Sequence, residues 1–426
     1  MAETIDLTKA DASHAVNLFN MFYNCQNLKT VNLSGLDFSS AENASSMFTL
    51  CSALESIDLT GVSCQNLLRM NGMFSNCTVL KEIKGLPELD TSKVWDMGQT
   101  FAACKALTDI DLSGLNLSSV EDMSGMLRSC EGLQSVSFSG WKLPKLQKMS
   151  GIFANNPSLT SVDLSGLEAP NLEYMDSLCT SCPALKSVNI SGIQTDALKN
   201  MSYAFQQCGD LTDVNLSGLN TTGAVYLKSM FSSCSSLQTL DLSSFDTKSL
   251  TDTSSMFSGC QNLRTVYASD KWDNSQFTAK STSMFRGCVS IVGGNGTLYS
   301  KDNMDGTYAR IDTAAAPGYL TKKSAALPPV TESTVTSTTL KSETTVLTSG
   351  TTAATTETEP TFLLGDVNFD GLISRGVRFA LLCDESGITH FQRKVFVSQA
   401  TNKNAPAHFT MHRGKMFISI SVDASG

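Results

Sequence analysis

Residues 236–260 read SLQTLDLSSFDTKSLTDTSSMFSGC, and close variants of that line recur through most of the chain. The final cysteine sets the spacing. Cys25, Cys51, Cys77, Cys104, Cys130, Cys182, Cys208, Cys234, Cys260 and Cys288 fall on one grid, and Asn156 stands at the single tick that lacks a thiol. The step is 26 residues, once 27 and once 28. A fixed period of about 20–29 residues with leucines at set offsets describes a solenoid, in which each coil buries its apolar side only against its neighbours.

After each grid position comes Leu-x-x-(Val/Ile/Leu)-x-Leu, as in Leu211, Val214 and Leu216. Alternation there predicts a short strand, so each coil adds one strand to a parallel sheet. Gly35, Gly61, Gly140 and their equivalents follow the strand, where a sharp turn favours a residue without Cβ. Val120, Met123, Met126 and Leu127 then recur at spacings of three and four, which predicts one or two helical turns facing the sheet. The expected fold is therefore α/β: a solenoid of ten to eleven 26-residue coils with a parallel β-sheet face and short helical turns.

Before the grid lies a Met-Phe pair, such as Met47 with Phe48 or Met256 with Phe257, and stacked rings there predict a continuous aromatic spine. The thiols read as buried and free. Equivalent side chains in stacked coils point the same way, whereas a disulfide needs its two Cβ atoms turned towards each other. Cys179 and Cys182 have Cys-x-x-Cys spacing once, but Cys179 occupies the Phe slot of its coil.

Cys-x-x-Leu-x-x-(Val/Ile)-x-Leu after a Met-Phe pair resembles the BspA-like (Treponema pallidum-type) leucine-rich repeats of bacterial surface proteins. The likeness covers roughly residues 5–322, and residues 291–321 resemble the C-terminal cap of such arrays. It implies a leucine-rich solenoid at residues 1–288, a cap at 289–322, an extracellular or cell-surface location, and adhesion to a protein or glycan ligand.

The outward strand positions form a ladder from Asn32 and Asp58 through Lys84, Asp111, Ser137, Asp163, Asn189 and Asn215 to Asp241. No two aspartates are neighbours in it, as a stable polar sheet face requires. Candidate ligand-binding residues are Asp58, Asp163 and Asp241, with two denser acidic spots at Asp109 with Asp111 and Asp213 with Asn215. Catalysis has little to build on, because His14 is the sole histidine in the first 389 residues; the chain reads as a non-enzyme. A formal charge of −9 without basic runs speaks against nucleic acid, and no stretch of about 18 apolar residues exists to span a membrane.

Residues 323–360 abandon the period for Thr and Ser, a composition suited to an extended linker. Residues 361–374 end in GDVNFDGLIS (365–374), in which Asp366, Asn368, Asp370, Leu372 (through its carbonyl) and Ser374 have the spacing of an EF-hand-type calcium loop. The stretch resembles the first half of a type I dockerin, which implies calcium as cofactor and a cohesin on a scaffoldin as partner. Val377 stands where the position-12 acid belongs, so calcium should bind weakly. The tail at 375–426 fits no part of that module and reads as frame-shifted; His408 and His412 in it have an i, i+4 spacing open to zinc. Ile5 and Leu7 align with Val31 and Leu33, so the chain starts inside a coil and reads as a piece of a longer secreted protein whose first coil exposes apolar edge. Two other roles stay open: the non-catalytic arm of a secreted cellulosomal enzyme or protease, and a structural spacer.

Overall fold

A computed structural model describes residues 2–275 and 281–323, together with the backbone of four short strands further on. The chain divides into two units, Met1–Thr331 and Glu332–Gly426.

In the first unit each period is one coil, and the coils stack in register. Strands β1 (Thr4–Asp6), β2 (Thr30–Asn32), β3 (Ser56–Asp58) and β4 (Glu82–Lys84) form a parallel sheet in that order. Ile5 pairs with Val31 and Val31 with Ile57, so the alignment of the first coil holds. Strands β5 (Ser135–Ser137), β6 (Ser161–Asp163), β7 (Ser187–Asn189) and β8 (Asp213–Asn215) make a second parallel block. A third contains β9 (Thr239–Asp241), β10 (Thr265–Ala268) and β11 (Leu320–Lys322). One aliphatic residue of each strand, such as Val31, Ile57 or Val162, faces a core that runs the length of the stack, and in β11 it is the first residue, Leu320.

Three expectations need correction. First, the sheet is segmented: residues 107–112 form no strand, and no ladder joins β8 to β9. The unbroken ladder lies on another face. There Asn17, Asn43, Arg69, Asp96, Asp122, Lys148, Tyr174, Asn200, Tyr226 and Asp252 bridge in parallel from coil to coil. A third side is bridged at Asp37–Ser63 and at Lys142–Glu168–Gln194.

Second, among the described residues there is no α-helix; the helical elements are two 3₁₀ turns, Leu86–Glu88 and Gly306–Tyr308. The segment with apolar spacing of three and four is instead a run of tight turns. Ser46 and Leu50 take φ of 54° and 65°, and nearly every coil repeats such a pair four residues apart, as in Asn20 and Asn24 or Ser229 and Ser233. A positive φ at the third residue of a turn closes an i to i+3 bond and stops helix propagation. Met47 and Cys51 accordingly donate to Ala44 and Phe48 within the coil, while Ser46, Phe48 and Leu50 donate to Asn71, Met73 and Ser75 of the next. Half of the N–H groups thus close turns and half build the ladder, so no buried donor is left over.

Third, the aromatic spine is two runs. Phe22, Phe48, Phe74 and Phe101 stack with ring centroids 5.1–5.7 Å apart, and Phe205, Phe231, Phe257 and Phe285 at 5.3–6.2 Å. Between them Leu127 and Cys179 take the slot, and Phe153 packs at a tilt on Phe138.

The last coil is covered by residues 291–323. Trp272 Nε1 donates to Ala309 O at 2.8 Å, and the buried Asp312 carboxylate accepts from Asn295 N, Thr297 N, Thr297 Oγ1 and Gly318 N. That single side chain ties the loops at 293–297 and 316–318 together. The second unit holds two antiparallel pairs: β12 (Val377–Arg378) with β13 (Phe396–Val397), and β14 (Ala407–His412) with β15 (Lys415–Ile420). His408 and His412 lie on β14, where four residues span about 13 Å, too far for the one-turn chelation that a helix would offer.

Candidate binding surfaces

The strand-face carboxylates and amides are built into the corners. Asp58, Asp111, Asp163, Asn215 and Asp241 each accept, through Oδ1, the backbone N–H two residues on, at 2.9–3.2 Å. This is the Asx turn, in which a short polar side chain imitates a backbone turn. The same device recurs at the other corners, at Asp37 and Asp90 and at Asn43, Asp96 and Asp122. One coil therefore carries up to three Asx-x-Ser/Thr corners, a signal present in the sequence but not read from it. At Asp111 the hydroxyl and N–H of Ser113 hold the carboxyl below the usual carboxylate range. Asp241 also pairs with Lys323. Asp213 lies exposed on β8, beside Ser187 of β7.

Asp109 and Asp111 do come together, at the first break in the sheet. They line a cleft of about 340 Å³ with Ser135, Ser137, Phe138 and Trp141, while Leu127 and Leu133 of the core show at its base. Phe138 and Trp141 stack at 4.4 Å.

The face with the continuous ladder carries what the sequence reading missed. Tyr174 and Tyr226 occupy ladder positions two coils apart with Asn200 between them, and Tyr226 is 48% exposed. Beside them Lys228 Nζ sits 5.8 Å from the centroid of Tyr203, whose hydroxyl, with Asp252 nearby, holds the ammonium above its ordinary value. Lys199 pairs with Glu173 at 2.8 Å along the same rows. Nearer the start of the array, four ladder steps before Tyr174, Arg69 lies over Trp95 at 5.1 Å. The legible signal was an aromatic residue eight positions before the grid cysteine, where other coils place Asn, Asp, Arg or Lys.

The thiols form a second hydrogen-bonded line. From Cys51 to Cys288, nine Sγ atoms donate to the carbonyl of the Phe-slot residue in the preceding coil, at 2.9–3.2 Å. Asn156 keeps the arrangement, its Nδ2 donating to Leu127 O and Phe153 O, both at 2.9 Å. All twelve described cysteines are free. Burial pushes the Cys51 thiol up to about 11 and those of Cys130, Cys182 and Cys260 to about 12, so at neutral pH they are protonated donors and not nucleophiles. Among the described residues no three His, Cys, Asp or Glu side chains converge on a metal position. The calcium-loop residues Asp366, Asn368, Asp370, Leu372 and Ser374 lie outside the described residues. No described helix is long and apolar enough to cross a membrane.

These features define a leucine-rich-repeat-like β-solenoid with an open polar surface. The chain belongs to the family described as Mycoplasma protein of unknown function, DUF285, whose model matches residues 2–85, 68–190 and 171–294. No curated protein matches it. Among solved structures it is similar to a leucine-rich repeat protein from Eubacterium ventriosum, with 13% identity over 61% of this chain and 80% of that one (TM-score 0.24). It is also similar to a chain of the Toll–Spatzle complex of Drosophila, with 18% identity over 59% of this chain and 34% of that one (TM-score 0.26). The chain thus spans about a third of that relative's length. A leucine-rich repeat protein of Leptospira interrogans gives 12% identity over 55% of this chain and 89% of that one (TM-score 0.13).

Proposed function

We propose that the chain is a non-catalytic binding protein that presents its solenoid to a protein or glycan ligand outside the cell. The observation that carries this reading is the aromatic and cationic cluster along the continuous ladder: exposed Tyr226 and half-buried Tyr174 at ladder positions, with half-buried Tyr203 and Lys228 beside them. Aromatic rings and cations held on a rigid scaffold bind at low cost in side-chain ordering and supply most of the energy of recognition surfaces. The strand-face aspartates are a weaker site, because each spends an oxygen on its own corner.

In the same reading, the Thr/Ser-rich stretch tethers the array and GDVNFDGLIS is the remnant of a calcium-dependent dockerin that joined a cohesin. The BspA-like resemblance supports display at a surface. A second reading places the ligand in the cleft of Asp109 and Asp111, whose acidic rim and apolar base suit a basic side chain. A third role, as the non-catalytic arm of a cellulosomal enzyme, shares the binding surface and differs only in what it is attached to.

The test is a screen of the full chain against glycans and extracellular-matrix proteins, repeated with Tyr226→Ser/Lys228→Ser and with Asp109→Asn. Loss of a hit with the first pair supports the ladder face, and loss with the second moves the site to the cleft. A chain that binds nothing in the screen overturns the reading in favour of a spacer.

A further inference from the structure

The first break in the sheet leaves backbone groups without partners inside the array, with coils stacked on both sides of it. Within a block, alternate residues of a strand turn N–H and C=O together to the preceding coil, so Thr30 N donates to Glu3 O and Asn32 O accepts from Leu7 N. Ser135 and Ser137 of β5 are the equivalent residues at the break. Among the described residues no backbone bond joins them to residues 108–112: the N–H groups of Thr108, Leu112 and Gln134 donate to no backbone carbonyl, and Ile110 N donates to Asp109 Oδ1 at 2.8 Å. On its other side Val136 pairs with Val162 of β6 in the usual register. The side chains follow the backbone: Val31, Ile57 and Val162 are buried, whereas Ile110 and Val136 are half-buried. Between the parted segments lies the cleft of about 340 Å³, with Leu127 and Leu133 at its base. On its rim Asp109 and Asp111 each hold one oxygen in a local bond, and among the described residues neither has a Lys or Arg partner. Lys84 of the preceding coil pairs with Glu82 instead.

We propose that this cleft takes an extended basic peptide as an added strand on β5, with lysine or arginine on either side of an aliphatic residue. Two features select that occupant. The open groups of Ser135 and Ser137 are N–H and C=O pairs on alternate residues, a spacing that another extended backbone matches and a sugar ring does not. An added strand in register also sets its central side chain over Leu127 and Leu133 and the flanking cations beside Asp109 and Asp111, as favourable cross-strand pairs. The inference rests on the second reading above, in which the ligand lies in the cleft, and adds the ligand's class and pose.

The probe is a labelled peptide, acetyl-Thr-Lys-Val-Lys-Thr-amide, added to the full chain and followed by fluorescence anisotropy and by hydrogen exchange of residues 135–137. Two controls keep its size. One carries glutamate for both lysines, and the other carries methyl groups on the valine and second threonine nitrogens, the donors that face β5. The proposal expects saturable binding of the lysine peptide with slowed exchange at Ser135 and Ser137. It expects about tenfold weaker binding with either control and with the Asp109→Asn/Asp111→Asn chain. Equal binding of the methylated peptide overturns strand addition and leaves the cleft as a side-chain pocket. Binding that ignores the aspartate variant removes the cleft reading as well. No binding of the lysine peptide overturns the inference, as does slow exchange at 135–137 in the free chain, because residues 108–112 would then close the gap themselves.

Discussion

Asn156 shows what a single position is asked to do. Its amide supplies the donor that the grid cysteines supply elsewhere, but its Oδ1 is buried without a partner. A buried unpaired acceptor costs about 1–3 kcal/mol, so Asn156→Cys should raise stability by about 1–2 kcal/mol, read as a shift in the urea midpoint. A lowered midpoint would mean that the thiol line is not the structural element described. The grid itself was plain in the sequence. The reason for it was not, because spacing reveals that a thiol is needed and not that its proton is given to the previous coil. The aspartates were legible only by half: their outward position was read, while the N–H two residues on, to which each is committed, is a backbone group with no sequence letter. Their pH behaviour follows from that commitment. Hydrogen bonds depress the carboxyl of Asp111; at Asp312 burial alone would raise it, but Thr297, Gly318 and Asn295 together hold it down. A depressed folded-state value means stabilisation that is present above the unfolded value, about 3.9, and lost as pH falls through the folded one. Thermal midpoints should therefore be level between about pH 5 and 8 and drop below about pH 4. Asp312→Asn should flatten the part of that drop that comes from the closing segment; an unchanged acid profile would contradict it.

At the scale of the element, the turn segment is where the sequence misled. Apolar residues three and four apart fit a helix, and only the Gly, Asn and Ser that recur before and after the Met-Phe pair tell against one. Gly72 with Asn76 and Gly151 with Asn155 occupy the left-handed positions, at φ near 60°. Such residues are the ones that enter this region most readily, and they were legible had their own period been followed. The ring stack is the other feature of this element. Phe231 is fully buried between Phe205 and Phe257, so Phe231→Ala should cost about 3–5 kcal/mol. Phe231→Leu, which copies the coil of Leu127, should cost clearly less. Chemical denaturation of the two variants checks the order, and equal losses would show that ring stacking adds nothing beyond bulk.

For the molecule as a whole, the repeat dictated stacking, and stacking brought side chains 52 residues apart, such as Tyr174 and Tyr226, into one row. Which face would be continuous was not written in any one coil. It depends on where the sheet is interrupted, at residues 107–112 and between β8 and β9, and the second interruption comes where the spacing is an unaltered 26 residues. The Leu-rich strands looked like the backbone of the array, yet they form three blocks, and the ladder of turns holds the blocks together. Peptide-resolved hydrogen exchange of the native chain tests this most directly. Slow exchange should run without interruption through the turn segments from residue 18 to residue 256, while residues 108–114 exchange fast. Fast exchange in the turn segments, with protection confined to the Leu-rich strands, would contradict it.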